Sequence, residues 1–162
     1  MPFNHFDGEG RAHMVDVTGK DVTDREARAE AVIRLGVELL ATVMDRGMTK
    51  GDVFGVARLA GIAAVKKTSD LIPLAHPLAI HHVAVEFTPD QAAGTVRVVC
   101  TVRAREKTGV EMEAMTGASV AALAVYDMCK GWDKSLAIGP VRLLFKSGGK
   151  SGTFIAEDEP TS

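Results

Sequence analysis

An α+β fold is what this sequence predicts, built as an antiparallel sheet with helices packed on one face. Three observations lead there. Two segments, "HHVAVEF" and "TVRVVCTVR", place apolar residues at every second position, the period of a strand, and "TPDQAAG" between them has the composition of a hairpin loop. Three other segments place their apolar residues at helical spacing. The predicted order is strand, two helices, two strands, helix, strand. Setting one helix aside leaves βαββαβ, the ferredoxin-like arrangement with one extra helix.

Residues 1–13 are polar and glycine-rich and are expected to be a flexible arm. A single domain is expected over 14–154, with a flexible acidic tail at 155–162. "HMVDVT" reads as a short first strand. In "TDRE", Thr23 is placed as an N-cap with Glu26 three residues on, a capping box. The helix it opens is predicted to run to about Arg46, with Val32, Leu35, Leu39 and Val43 on one face and Gly47 as its stop. Asp52 caps a second helix, "VFGVARLAGIAAVKK", whose closing lysines suit the helix dipole. Pro73 and Pro77 exclude helix from "LIPLAHPL". In the hairpin, Val83, Val85 and Phe87 share one face, as do Val96, Val98, Cys100 and Val102. A third helix covers 109–130, Gly139-Pro140 is read as a turn, and "VRLLF" is the last strand before the tail "KSGGKSG".

At 162 residues the chain suits one compact domain with a real core. With 5% aromatic residues, that core must be built from Val, Leu, Ile, Met and Ala. A net charge of −2 argues against general nucleic-acid binding. Residues 97–150 nevertheless hold nine Lys/Arg against five Asp/Glu, which suits a small anionic ligand better than a long polyanion. Cys100 and Cys129 form neither a disulfide framework nor a zinc-finger spacing. No apolar run approaches the ~18 residues of a membrane span, and the cytoplasm is the expected compartment.

The helix at 109–130 is apolar all round its body and charged only at its ends, with Glu111 and Glu113 at one and Asp127 and Lys130 at the other. One sheet covers one face, so the other face is expected to meet another subunit. Asp127 and Lys130 are close enough to pair, and spacing alone leaves a plain surface ion pair open. Glu113 lies on the same side of the helix but roughly 21 Å away at 1.5 Å per residue. A compact site using both ends would have to take one from each of two chains. His76 is held extended by the proline after it, a candidate ligand-binding residue or a loop histidine bonded to nearby backbone. His81 and His82 face opposite sides of a strand, so metal ligation with His76 is not expected. "KSGGKSG" is not a phosphate-binding P-loop, because Leu144 stands where glycine is required. Its backbone amides, with Lys146 and Lys150, still suit an anion. Lys50 precedes the second helix and is a weaker candidate.

"HMVDV", "REARAEA", "KGDVF", "DLIPLAHPL", "TGVEMEA", "YDMCK" and the closing "KSGGKSG" together resemble the cyclic pyranopterin monophosphate synthases, the molybdenum cofactor biosynthesis protein C family, from about residue 12 to 154. The resemblance implies a ferredoxin-like fold in a homohexamer of three dimers, with the active site at the dimer interface. It implies conversion of 3′,8-cyclo-7,8-dihydro-GTP into cyclic pyranopterin monophosphate with release of diphosphate. By motif, Asp127 and Lys130 are the catalytic pair. Leu74, Ala75, His76, Met112 and Glu113, with Glu111 beside them, match substrate-binding segments. Lys50, Lys146 and Arg25 would serve the phosphates or proton transfer, with Lys150 next to them. Where the family often has cysteine this chain has Ala75, which excludes a thiol role there.

Rebuilding a purine as a pterin needs placed proton donors and acceptors. Expelling diphosphate needs cations on the leaving group. A lysine desolvated at an interface is expected to have a lowered pKa. No redox cofactor or resident metal is signalled, although Mg²⁺ could accompany the triphosphate. RNA binding is disfavoured because "TVRVVCTVR" has no aromatic to stack bases. A nucleotide sensor without turnover is the alternative.

Overall fold

The computed structural model describes residues 3–45 and 52–158. Its elements are β1 (Thr23–Arg34), α1 (Val37–Met44), α2 (Val53–Val65), α3 (Thr68–Leu71), β2 (His82–Asp90), β3 (Thr95–Glu106), α4 (Glu111–Cys129), β4 (Ala137–Ser147) and β5 (Phe154–Ile155). The sheet order is β2-β3-β1-β4-β5, with every pairing antiparallel. Without the two-residue β5 this is the strand order of a ferredoxin-like sheet. Among the described residues, no helix is long and apolar enough to cross a membrane.

The sheet sits where it does because β1 buries alternate residues. Ala27, Ala29, Ala31 and Ile33 are fully buried on the helix side, opposite the buried Val96, Val98, Cys100 and Val102 of β3. Each such valine contributes about 1.5–3 kcal/mol relative to an exposed one. Across this face lies α4, which touches β1, β3 and β4, while α2 packs on α4 and β2. Small residues permit the close approach. A Cβ on Gly117 would come within 2.6 Å of the Cys100 Sγ and 2.7 Å of Val65. The Asp52 N-cap forms as expected, its carboxylate accepting from the Gly55 N–H at 2.8 Å.

Three expectations are corrected. "HMVDVT" is not a strand. The predicted helix from Thr23 is instead the central strand β1, and only its later part is helical, as α1. Alanines favour helix locally, but β1 is hydrogen-bonded on both sides, and its outward Glu30 finds partners only in a sheet. The Glu30 carboxylate accepts from Arg142 Nε at 2.6 Å and from Arg97. Burial alone would raise its pKa, but the hydrogen bonds from those two guanidinium groups outweigh burial and hold it low. Finally, Gly139-Pro140 is no turn. β4 runs through it with a cis peptide, at an irregularity in its pairing with β1 between Ala31 and Ile33.

Candidate active site

Most of the candidate site residues gather where α4 begins. The loop after β3 turns at Gly109 into the first turn of α4 and delivers Glu111, Met112 and Glu113 to a cavity of about 500 Å³. The proline-bounded loop after α3 supplies Leu74, Ala75 and His76 to the opposite wall, and Val15, Val17 and Lys20 close a third side. A second cavity of about 560 Å³ adjoins it, lined by Lys20, Arg25, Lys107, Lys146 and Lys150. Both cavities share Asn4, Lys20, Thr108, Gly109 and Glu111. They form one cleft with an apolar end and a cationic end.

The cationic end is built by backbone as much as by charge. Arg25 donates from Nε to the Glu106 carbonyl at 3.2 Å and from Nη2 to the Lys107 carbonyl at 3.1 Å. Its guanidinium lies so close to the "SGG" turn that a Cβ on Gly149 would be 2.0 Å from Nη1. Gly148, at φ +94, would bring a Cβ within 2.2 Å of the Asp24 carbonyl. Only glycine fits at both positions. Lys146 Nζ donates to the Gly148 carbonyl at 3.4 Å and to Ser151 Oγ, so its ammonium is held at this turn.

At the apolar end, Glu113 is 4% exposed. Burial pushes its pKa up from 4.5 to about 7; a hydrogen bond to its own backbone opposes this, and the nearby Glu111 charge adds to it. The group is therefore poised to hold or release a proton near neutrality. His76 Nε2 lies 2.7 Å from the Val15 carbonyl. This histidine is thus bonded to backbone, and it also lines the cavity.

Asp127 and Lys130 stand apart. They pair at 2.6 Å at the other end of α4, with both side chains more than half exposed, and line neither cavity. In the single chain the Lys130 pKa is raised, by the hydrogen bond and then the charge of Asp127. Lys50 lies outside the described residues. Among the described residues no group of three His, Cys, Asp or Glu is placed to hold a metal.

Lys20, Lys107 and the Val15–Val17 wall were not legible as site residues. The only signal for Lys107 was a basic residue just before the "TG" that opens α4, and Lys20 sat in an ordinary "TGKD" turn.

The MoaC family model matches residues 14–149. The cyclic pyranopterin monophosphate synthase of Geotalea uraniireducens (strain Rf4) is 65% identical over 159 residues, covering 98% of this chain and 99% of its own length. The protein of the same name from Geobacter sulfurreducens (strain ATCC 51573 / DSM 12127 / PCA) is 63% identical over 158 residues, covering 98% and 99%. That from Dinoroseobacter shibae (strain DSM 16493 / NCIMB 14021 / DFL 12) is 55% identical over 153 residues, covering 94% and 97%.

Proposed function

The chain belongs to the MoaC family, and on that premise we propose that it is a lyase converting 3′,8-cyclo-7,8-dihydro-GTP into cyclic pyranopterin monophosphate and diphosphate, a step of molybdenum cofactor biosynthesis. The observation that carries this reading is the two-ended cleft. A heterocycle fits the apolar end beside a carboxyl that titrates near neutrality, and a triphosphate fits the end ringed by five cations.

The roles follow from placement. Lys146, Arg25, Lys107, Lys20 and Lys150 neutralise the phosphates and stabilise departing diphosphate. Glu113 takes up or delivers a proton at the heterocycle while Leu74, Ala75 and Met112 hold its faces. Glu111 lies between the two ends, its charge helping to keep Glu113 neutral.

Asp127 and Lys130 are catalytic through a partner subunit. Met112, Leu123, Asp127 and Lys130 form one exposed stripe along α4, with Leu123 55% exposed. Docking of that stripe on a second copy brings the far end of one α4 to the cleft of the other, within a homohexamer of three dimers. Desolvation there would also lower Lys130 towards the working range of an acid or base. Lys50 is assigned to proton transfer by its family motif. The cytoplasm is the proposed compartment.

The test is direct: incubation with enzymatically made 3′,8-cyclo-7,8-dihydro-GTP, with pyranopterin and diphosphate both measured. Binding without release of diphosphate would instead indicate a nucleotide sensor.

A further inference from the structure

We propose that residues 14–20 form a positioning strap across the cleft, in which the Val15 carbonyl holds His76 as its Nε2–H tautomer and leaves Nδ1 to accept a hydrogen bond from an N–H or O–H of the bound heterocycle. This rests on the proposed function, in that a heterocycle occupies the apolar end.

The strap belongs to no helix or strand, yet its path is defined. The Thr18 N–H donates to Asp16 Oδ1 at 2.8 Å, and the Lys20 N–H donates to the Val17 carbonyl at 3.0 Å. Two side chains from the cleft tie it down. His76 reaches the Val15 carbonyl at 2.7 Å, and Lys107 Nζ donates to the Thr18 carbonyl at 3.0 Å. In return the strap supplies Val15 and Val17 to the apolar wall and Lys20 to both ends of the cleft.

The Val15 contact fixes which ring nitrogen of His76 donates. A carbonyl oxygen only accepts, so Nε2 must carry the hydrogen. In the neutral ring Nδ1 then has a lone pair and no proton. His76 lines the cavity with Nε2 already engaged, so Nδ1 is the ring nitrogen left for a ligand. In that tautomer the ring offers the ligand an acceptor, whereas the lysines and arginine of the other end offer only donors. Val15 contributes through its backbone, so it is a positioning residue.

The experiment uses the full-length protein. Heteronuclear NMR at a pH where the ring is neutral is expected to show His76 as the Nε2–H form with a slowly exchanging ring proton. A Nδ1–H form, or the tautomer mixture of free imidazole, would overturn the proposal. Two variants separate the nitrogens. His76→Gln keeps a donor near the position of Nε2, and His76→Asn keeps an acceptor near that of Nδ1. The Gln variant should retain the slow amide exchange of Thr18 and Lys20 while binding substrate at least about tenfold more weakly, the loss of one hydrogen bond. The Asn variant should speed exchange in the strap and keep more of the affinity. Wild-type affinity in the Gln variant, or equal losses in both with the strap undisturbed, would sink the Nδ1 role. Tautomer and exchange are read without substrate, so a wild-type protein that fails to bind substrate would overturn the proposed function separately.

Discussion

Replacing Glu113 by glutamine should make the protein more stable, and only above acidic pH. In the fold this carboxyl is 4% exposed and its pKa stands at about 7 rather than 4.5. Below about pH 4.5 it is protonated in folded and unfolded chains alike and imposes no cost. Between 4.5 and 7 the unfolded chain has released the proton while the folded chain still holds it, so stability falls as pH rises. Above both values the accumulated cost is about 3 kcal/mol, at about 1.4 kcal/mol per pH unit. Glutamine has nearly the same shape and no charge to desolvate. Urea unfolding of wild type and Glu113→Gln, at one fixed protomer concentration, should therefore give a stability difference that grows by about 3 kcal/mol in favour of the variant from about pH 4 to about pH 8. Every other titrating group is common to both proteins and cancels from the difference. A difference independent of pH would refute the reasoning, because Glu113 would then ionise as it does in water. The variant should also lose turnover, since the group that destabilises the fold is the one placed to exchange a proton with substrate.

Other outcomes follow from the same geometry. Glu113→Ala and Asp127→Ala, each nearly inactive alone, should recover roughly a quarter of wild-type activity after subunit exchange, because random pairing makes half the dimers mixed and each mixed dimer holds one intact site. No recovery, with exchange verified by mass spectrometry, would overturn the shared-site reading. Lys146→Ala should weaken a triphosphate substrate analogue much more than the same analogue without phosphates, measured by calorimetry; equal weakening would leave the lysine only its bonds to Gly148 and Ser151. Gly117→Ala should lower the urea midpoint, by a destabilisation of about 1–3 kcal/mol, because its Cβ would sit 2.6 Å from Cys100 Sγ in the packed layer under α4.

Much of the chain declares its structure locally. β3 sets Val96, Val98, Cys100 and Val102 at every second position, and the same four residues are fully buried. The Asp52 cap and the proline-bounded loop after α3 are likewise local chemistry, and the length of α4 with its charged ends could be read directly. Contiguous motifs such as "DLIPLAHPL" and "TGVEMEA" were legible as candidate site segments because each keeps its cavity-lining residues within a few positions of one another.

What failed to read were features decided by residues far apart in sequence. β1 looked helical because Ala27, Ala29 and Ala31 are helix formers and "TDRE" has the form of a cap. Its strand character comes from β3 and β4 on either side, and from Arg97 and Arg142, which hold the charge of Glu30 across 67 and 112 positions. The cationic end of the cleft is assembled in the same way, from Lys20, Arg25, Lys107, Lys146 and Lys150, which meet only once β1, β3 and β4 are paired. Glu113 appears in sequence as one more acidic residue in a helix's first turn. Its pKa of about 7 exists because the fold removes it from water. Local order follows from propensity and periodicity, which a sequence displays. Desolvation and charge convergence depend on distance in space, which only the packed sheet and helices set.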